Sequence, residues 1–141
     1  MQIGLRSVDG EEFRQLTEGA LNYRARFVPG GRSVIFSRFE GGSARVCRIN
    51  IDGTDFRTIL DSFAGNPSAG LCACLSPDGK TLAILNSGTI LEFADADGKD
   101  RRRLEMRVRV PMMISQPGSW FQPGPLSIGG VEWARPASGA D

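Results

Sequence analysis

The chain has 141 residues, with 17 Lys and Arg against 16 Asp and Glu, three cysteines and no histidine. The missing imidazole excludes Ser-His-Asp and Cys-His nucleophile activation and the HExxH zinc site. A formal charge of +1 leaves no field to hold a polyanion, so nucleic acid is not an expected partner.

With 18 glycines and 8 prolines in a sequence that is 40% hydrophobic, tight turns are frequent and a core can form, the profile of an all-β chain. From the N-terminus, Gln2 to Ser7 and Glu12 to Thr17 flank the turn pair Asp9-Gly10. Leu21, Tyr23, Ala25 and Phe27 then alternate with Asn22, Arg24 and Arg26, which predicts a strand with one apolar and one polar face, ending at Pro29-Gly30-Gly31. Arg32 to Ser37 is β-branched and aromatic, Ala44 to Ile51 alternates, and Asp52-Gly53 signals a hairpin before Phe56 to Leu60. The order recurs: Leu71 to Leu75, a turn at Asp78-Gly79, Thr81 to Leu85, a link at Asn86 to Gly88, Ile90 to Ala94, a turn at Asp97-Gly98, and Arg101 to Leu104.

This recurrence is an internal repeat. Pro29-Gly30-Gly31-Arg32-Ser33-Val34-Ile35-Phe36 matches Pro77-Asp78-Gly79-Lys80-Thr81-Leu82-Ala83-Ile84 at an offset of 48, and Asp52-Gly53 matches Asp97-Gly98 at 45 and Asp9-Gly10 at 43. A unit of about 45 residues holding four antiparallel strands is the blade of a β-propeller. The sequence divides into half a blade at 1–19 (its third and fourth strands), complete blades at 20–61 and 62–105, a degenerate half blade at 106–135 and a frayed tail at 136–141. That makes about three blade equivalents, too few to close a ring. The expectation is a fragment of a longer propeller, or a homodimer in which two copies complete one.

Leu75-Ser76-Pro77-Asp78-Gly79-Lys80-Thr81-Leu82-Ala83, followed by Ala94-Asp95-Ala96-Asp97-Gly98-Lys99-Asp100-Arg101-Arg102-Arg103-Leu104, resembles the TolB-type propeller repeat, W-S-P-D-G-K-x-L-A-F and then D-x-D-G-x-x-x-R-x-L-T. Phe27 and Leu75 stand at the usual tryptophan and Gly30 at the aspartate of the Pro-Asp-Gly turn. The resemblance implies a propeller that binds a protein or peptide without catalytic residues or cofactors in its blades. The alternative it carries is the non-catalytic propeller segment of a prolyl-oligopeptidase-type hydrolase, with the catalytic domain outside this sequence.

The chemistry-bearing residues read mostly as structure. An EF-hand with Gly98 at its sixth position would place Phe93 first and Leu104 twelfth, where carboxylates are required, so the loop is a hairpin. Cys47, Cys72 and Cys74 lack a fourth ligand for zinc and read as small apolar fillers, with no disulfide expected between Cys72 and Cys74 and a reducing compartment favoured. Arg101-Arg102-Arg103 reads as protection of an outermost strand against strand addition. Ser76, Asp78 and Lys80 read as turn residues rather than nucleophile, acid and base.

Function is expected on the rim opposite the Asp-Gly hairpins, in the links Arg38 to Ser43, Asp61 to Gly70 and Asn86 to Gly88. The candidate binding residues are Arg38, Glu40, Asn66 and Asn86. No apolar run is long enough to span a bilayer, so membrane insertion is not expected. Met1 to Arg6 does not read as a signal peptide. As written the sequence reads as cytoplasmic; a preceding leader would make it periplasmic or extracytoplasmic.

Overall fold

The computed structural model describes residues 1–64, 71–86 and 90–105. The described residues form ten strands in three antiparallel sheets. A two-stranded sheet pairs β1 (Gly4–Arg6) with β2 (Phe13–Gln15). A four-stranded sheet runs β3 (Leu21–Phe27), β4 (Ser33–Glu40), β5 (Ser43–Asn50), β6 (Arg57–Ala64). The other four-stranded sheet runs β7 (Cys72–Leu75), β8 (Thr81–Asn86), β9 (Ile90–Asp95), β10 (Arg102–Glu105). Each strand pairs with its neighbour in sequence, so every connection within a sheet is a hairpin. Among the described residues no helix is long and apolar enough to cross a membrane. The sequence readings for 106–141 lie outside the described residues.

Period-2 alternation on β4 and β5 gives the middle sheet two apolar faces. On one face Val34, Phe36, Cys47 and Ile49 pack with Ile3 and Leu16, which flank the strands of the two-stranded sheet. On the other, Ile35, Val46, Ala44 and Leu60 pack with Ala73, Leu75, Leu82 and Ile84 of the second four-stranded sheet. The sheets are therefore stacked face to face in chain order, and β4 is buried on both sides: Val34, Ile35, Phe36 and Ser37 are all at most 2% exposed. Burying a side chain such as Phe36 or Ile35 contributes about 1.5–3 kcal/mol, so these two interfaces dominate the stability of the stack.

Close approach at the second interface depends on Gly98. Its φ is +81°, and a Cβ built there would lie 2.6 Å from Ile59 O and 2.7 Å from Leu60 Cδ2. The β9–β10 turn thus rests directly on the backbone of β6, with Ala96 against the shared core.

One expectation needs correction. The apolar and polar faces foreseen for Leu21 to Phe27 do not persist along β3, because the register shifts between Tyr23 and Arg26: Tyr23 pairs with Ser37 but Arg26 with Ile35. A bulge, with Arg24 at φ 56°, exchanges the two faces beyond it. Asn22 is fully buried and Phe27 is 63% exposed, the reverse of the pattern's implication. The cysteines lie where small apolar fillers would. All three are buried free thiols; Cys47 lies in the first interface, while Cys72 and Cys74 alternate with Leu71, Ala73 and Leu75 of the second and so face away from it, which separates the pair from Cys47.

Candidate functional site

The Asp-Gly hairpins are closed units in which the side chains serve the backbone. Ser76 Oγ donates to Asp78 Oδ1 at 2.5 Å and accepts the Thr81 N–H at 2.9 Å, while the same carboxylate oxygen accepts the Lys80 N–H at 3.1 Å. Ser7, Asp9, Glu11 and Glu12 repeat that wiring at the first hairpin: Ser7 donates to Asp9, Glu11 N–H to Asp9 at 3.2 Å and Glu12 N–H to Ser7 Oγ at 2.9 Å. Asp52 accepts from the Thr54 hydroxyl and N–H, and Asp95 from the Asp97 and Lys99 N–H groups. Side-chain bonds from Ser7, Thr54 and Ser76 hold the carboxyls of Asp9, Asp52 and Asp78 below the ordinary aspartate range. Ser76 has a carboxylate for its proton but is committed to turn geometry on both sides, as Ser7 is in the other repeat.

The opposite rim is built differently. The sequence suggested a link from Arg38 to Ser43, but β4 runs to Glu40 and β5 starts at Ser43, joined by Gly41 and Gly42 at φ 59° and 81°. Two residues with positive φ are what a tight hairpin requires. This places Arg38 directly across from Arg45, two cations that need counter-charges. Glu40 supplies one, accepting from Arg38 Nη2 at 3.2 Å and Arg45 Nη1 at 3.3 Å; Asp61 supplies the other, 2.7 Å from Arg45 Nε. The hydrogen bond from Arg38 holds the Glu40 carboxyl below the usual range, and the one to Asp61 raises the Arg45 guanidinium above its ordinary value.

Exposure separates presentation from support within this chain of charges. The Arg38 side chain is 16% exposed, against 30% for Arg45, 49% for Glu40 and 62% for Asp61. Arg38 also donates to Glu18 O and to Asn22 Oδ1, both at 3.3 Å, and lies 5.6 Å from the Phe56 ring centroid. Behind it, Asn22 donates to Gln2 Oε1 at 2.9 Å and Gly19 O at 3.2 Å, and Thr17 Oγ1 donates to Gln2 and accepts the Ile3 N–H. Arg38 therefore ties the rim to the joint between the first two sheets, and Glu40, Arg45 and Asp61 face solvent.

Of the four residues the sequence proposed, the structure brings Arg38 and Glu40 together, with Glu40 presented and Arg38 as its support. Asn86 ends β8 at the repeat-equivalent of Arg38, 48 residues on; Asn66 lies outside the described residues. Arg45 was not among them, and Asp61 entered the sequence reading only as the start of the Asp61 to Gly70 link, whereas β6 runs on through it to Ala64. Reading Gly41-Gly42 as a two-residue turn fixes residue 38 opposite 45, so Arg45 was recoverable by counting. Among the described residues no group of three His, Cys, Asp or Glu side chains is placed to hold a metal ion.

No protein-family model and no curated protein matches the sequence. Solved structures do match. The protein assigned as TolB in Agrobacterium tumefaciens aligns with a TM-score of 0.60 at 21% identity over 72% of this chain and 40% of that one. TolB from Acinetobacter baumannii aligns with a TM-score of 0.57 at 19% identity over 74% and 26%. A chain of the nidogen/laminin complex aligns with a TM-score of 0.55 at 21% identity over 72% and 39%. The chain thus spans between about a quarter and two fifths of the length of these structures. The fold is that of consecutive blades of a TolB-like β-propeller.

Proposed function

We propose that this propeller segment is a non-enzymatic recognition module that binds a protein or peptide at the rim formed by Glu40, Arg45 and Asp61. The observation that carries the proposal is the exposed alternation of carboxylate, guanidinium and carboxylate, held by Arg38 and Asn22 beside a β4 that is buried on both faces. Preorganised charges of alternating sign confer specificity more than bulk affinity, because a partner must match their order. Functional loops on a rigid scaffold commonly have this arrangement. The similarity to a chain in a nidogen/laminin complex supports a protein as partner. By contrast, the carboxylates of Asp9, Asp52, Asp78 and Asp95 on the hairpin rim accept from their own turns.

Photo-cross-linking tests the proposal. Ser43→p-benzoylphenylalanine places a probe beside Glu40, and Lys99→p-benzoylphenylalanine places one on the opposite rim. A discrete adduct with one protein is expected from position 43 and not from 99. An adduct formed only from 99 would move the binding surface to the hairpin side.

A further inference from the structure

The middle sheet holds two pairs of arginines directly across from each other, and only one pair is neutralised. Arg38 lies opposite Arg45, with Glu40 and Asp61 as counter-charges. Arg48 lies opposite Arg57 between β5 and β6, and among the described residues neither takes part in an ion pair. Like charges directly opposite each other weaken a sheet, so this second pair costs stability until an anion joins it. Arg48 is nevertheless held in place: its Nε donates to Ser33 Oγ at 3.0 Å, and Ser33 is 1% exposed. A bond from Nε fixes the plane of the guanidinium and leaves its terminal N–H groups to act elsewhere.

The repeat shows that the strands do not need these cations. The row Arg26, Ile35, Arg48, Arg57 across the middle sheet matches Cys74, Ala83, Phe93, Arg102 across the third, at offsets of 48 on the first two strands and 45 on the last two. Arg48 thus stands where the other blade has a phenylalanine. Ile35 in the same row is fully buried against the third sheet, and the β9–β10 turn rests on Ile59 and Leu60. The half-buried Arg48 and the exposed Arg57 therefore border the second interface. That turn brings Asp97 and Lys99, whose opposite charges leave the arginines to set the sign.

We propose that Arg48 and Arg57 bind one phosphate-class oxyanion, either free phosphate or a phosphate monoester. Each guanidinium presents a planar fork that matches two oxygens of such an anion, and two cations balance one dianion. A single anion also suits a chain of formal charge +1, which has no field to hold a polyanion. The site stands apart from the charged rim: alternation puts Arg38 and Arg45 on the face of Phe36 and Arg48 on the face of Ile35. Either can fail without the other.

The test is a titration of the full chain with sodium phosphate at constant ionic strength, followed by the arginine Nε–H signals in NMR and by thermal unfolding. The Arg48 and Arg57 signals should move together along one single-site saturation curve while that of the exposed Arg103 stays in place, and phosphate should raise Tm above its value in sodium chloride. Arg48→Gln and Arg57→Gln should each weaken binding at least about tenfold, and Arg103→Gln should leave it unchanged. Arg57→Gln also removes the like-charge contact, so in chloride it should unfold at or above the Tm of the unsubstituted chain, which a misfolded variant would not. Phenyl phosphate, titrated in parallel, separates the two sources: binding at least as tight as phosphate assigns the anion to a monoester, and weaker binding assigns it to free phosphate, either of which upholds the site. Equal signal shifts in chloride, a titration that does not saturate, or full affinity in both glutamine variants would overturn the proposal.

Discussion

Replacing Gly98 by alanine separates two costs that other turn glycines carry singly. At Gly53 the φ is +89° and at Gly79 it is +72°, and in both cases no atom of the described residues lies within 4 Å of the position an alanine Cβ would take. Alanine there meets only the left-handed backbone penalty of about 1–2 kcal/mol, partly offset by a stiffer unfolded chain worth about 0.4–1 kcal/mol. The net loss at Gly53 or Gly79 should be about 1 kcal/mol. At Gly98 the same penalty applies at φ +81°, and the methyl would also fall 2.6 Å from Ile59 O and 2.9 Å from Leu60 Cγ. A backbone oxygen cannot swing aside as a side chain can, so β6 and the β9–β10 turn must separate; forcing an extra carbon into a packed contact costs about 1–3 kcal/mol. Gly98→Ala should therefore lose about 3 kcal/mol in urea unfolding, roughly 2 more than Gly53→Ala. Losses at the two positions that agree within about 0.5 kcal/mol would show that the turn does not rest on β6, and the face-to-face stacking at that interface would be wrong.

Three further outcomes follow from individual groups. Asp78 is held below the ordinary aspartate range by Ser76, so its contribution is fully present above the unfolded pKa of about 3.9 and is lost as pH falls through the lower folded value; Asp78→Asn should flatten the acid limb of stability against pH, and an unchanged limb would contradict the turn wiring. Tyr23 Oη is buried with no hydrogen-bond partner among the described residues, and burial raises its pKa. Tyr23→Phe should be neutral or stabilising by about 1 kcal/mol in urea unfolding, and a clear loss would mean the hydroxyl is bonded. Asn22 is fully buried and donates to Gln2 and Gly19 while accepting from Arg38; Asn22→Ala should cost about 2–3 kcal/mol and raise the Glu40 carboxyl pKa, read by NMR titration, because Arg38 loses one of its anchors.

The repeat made the strand order and hairpins readable because each Asp-Gly turn carries its own chemistry: the carboxylate that caps the turn lies two to four residues from the groups it bonds. Such signals are local and survive without knowledge of the neighbours. The bulge in β3 had no comparable signal. Leu21 to Phe27 alternates without interruption, and the residue that takes positive φ is Arg24, not glycine or asparagine. What sets that register is remote: Asn22 is held on one face by Gln2 and Arg38, and Tyr23 pairs with Ser37, whose Oγ reaches Leu71 O at 2.8 Å. The rim was half legible for a related reason. Arg38 and Glu40 stand out as charges next to glycines, but their roles depend on Arg45 and Asp61, which arrive through cross-strand pairing. Asp61 in particular comes from β6, whose register against β5 contains two irregularities that no count along the sequence supplies.

On the proposed function, a partner reads Glu40, Arg45 and Asp61. The most direct measurement is the affinity of the cross-linked partner for Arg45→Glu and for Lys99→Glu, on opposite rims of the same sheets. Reversing Arg45 places a third negative charge between two carboxylates and should weaken binding at least about tenfold, while Lys99→Glu leaves it unchanged. Full affinity in Arg45→Glu, or a loss confined to Lys99→Glu, would contradict the claim.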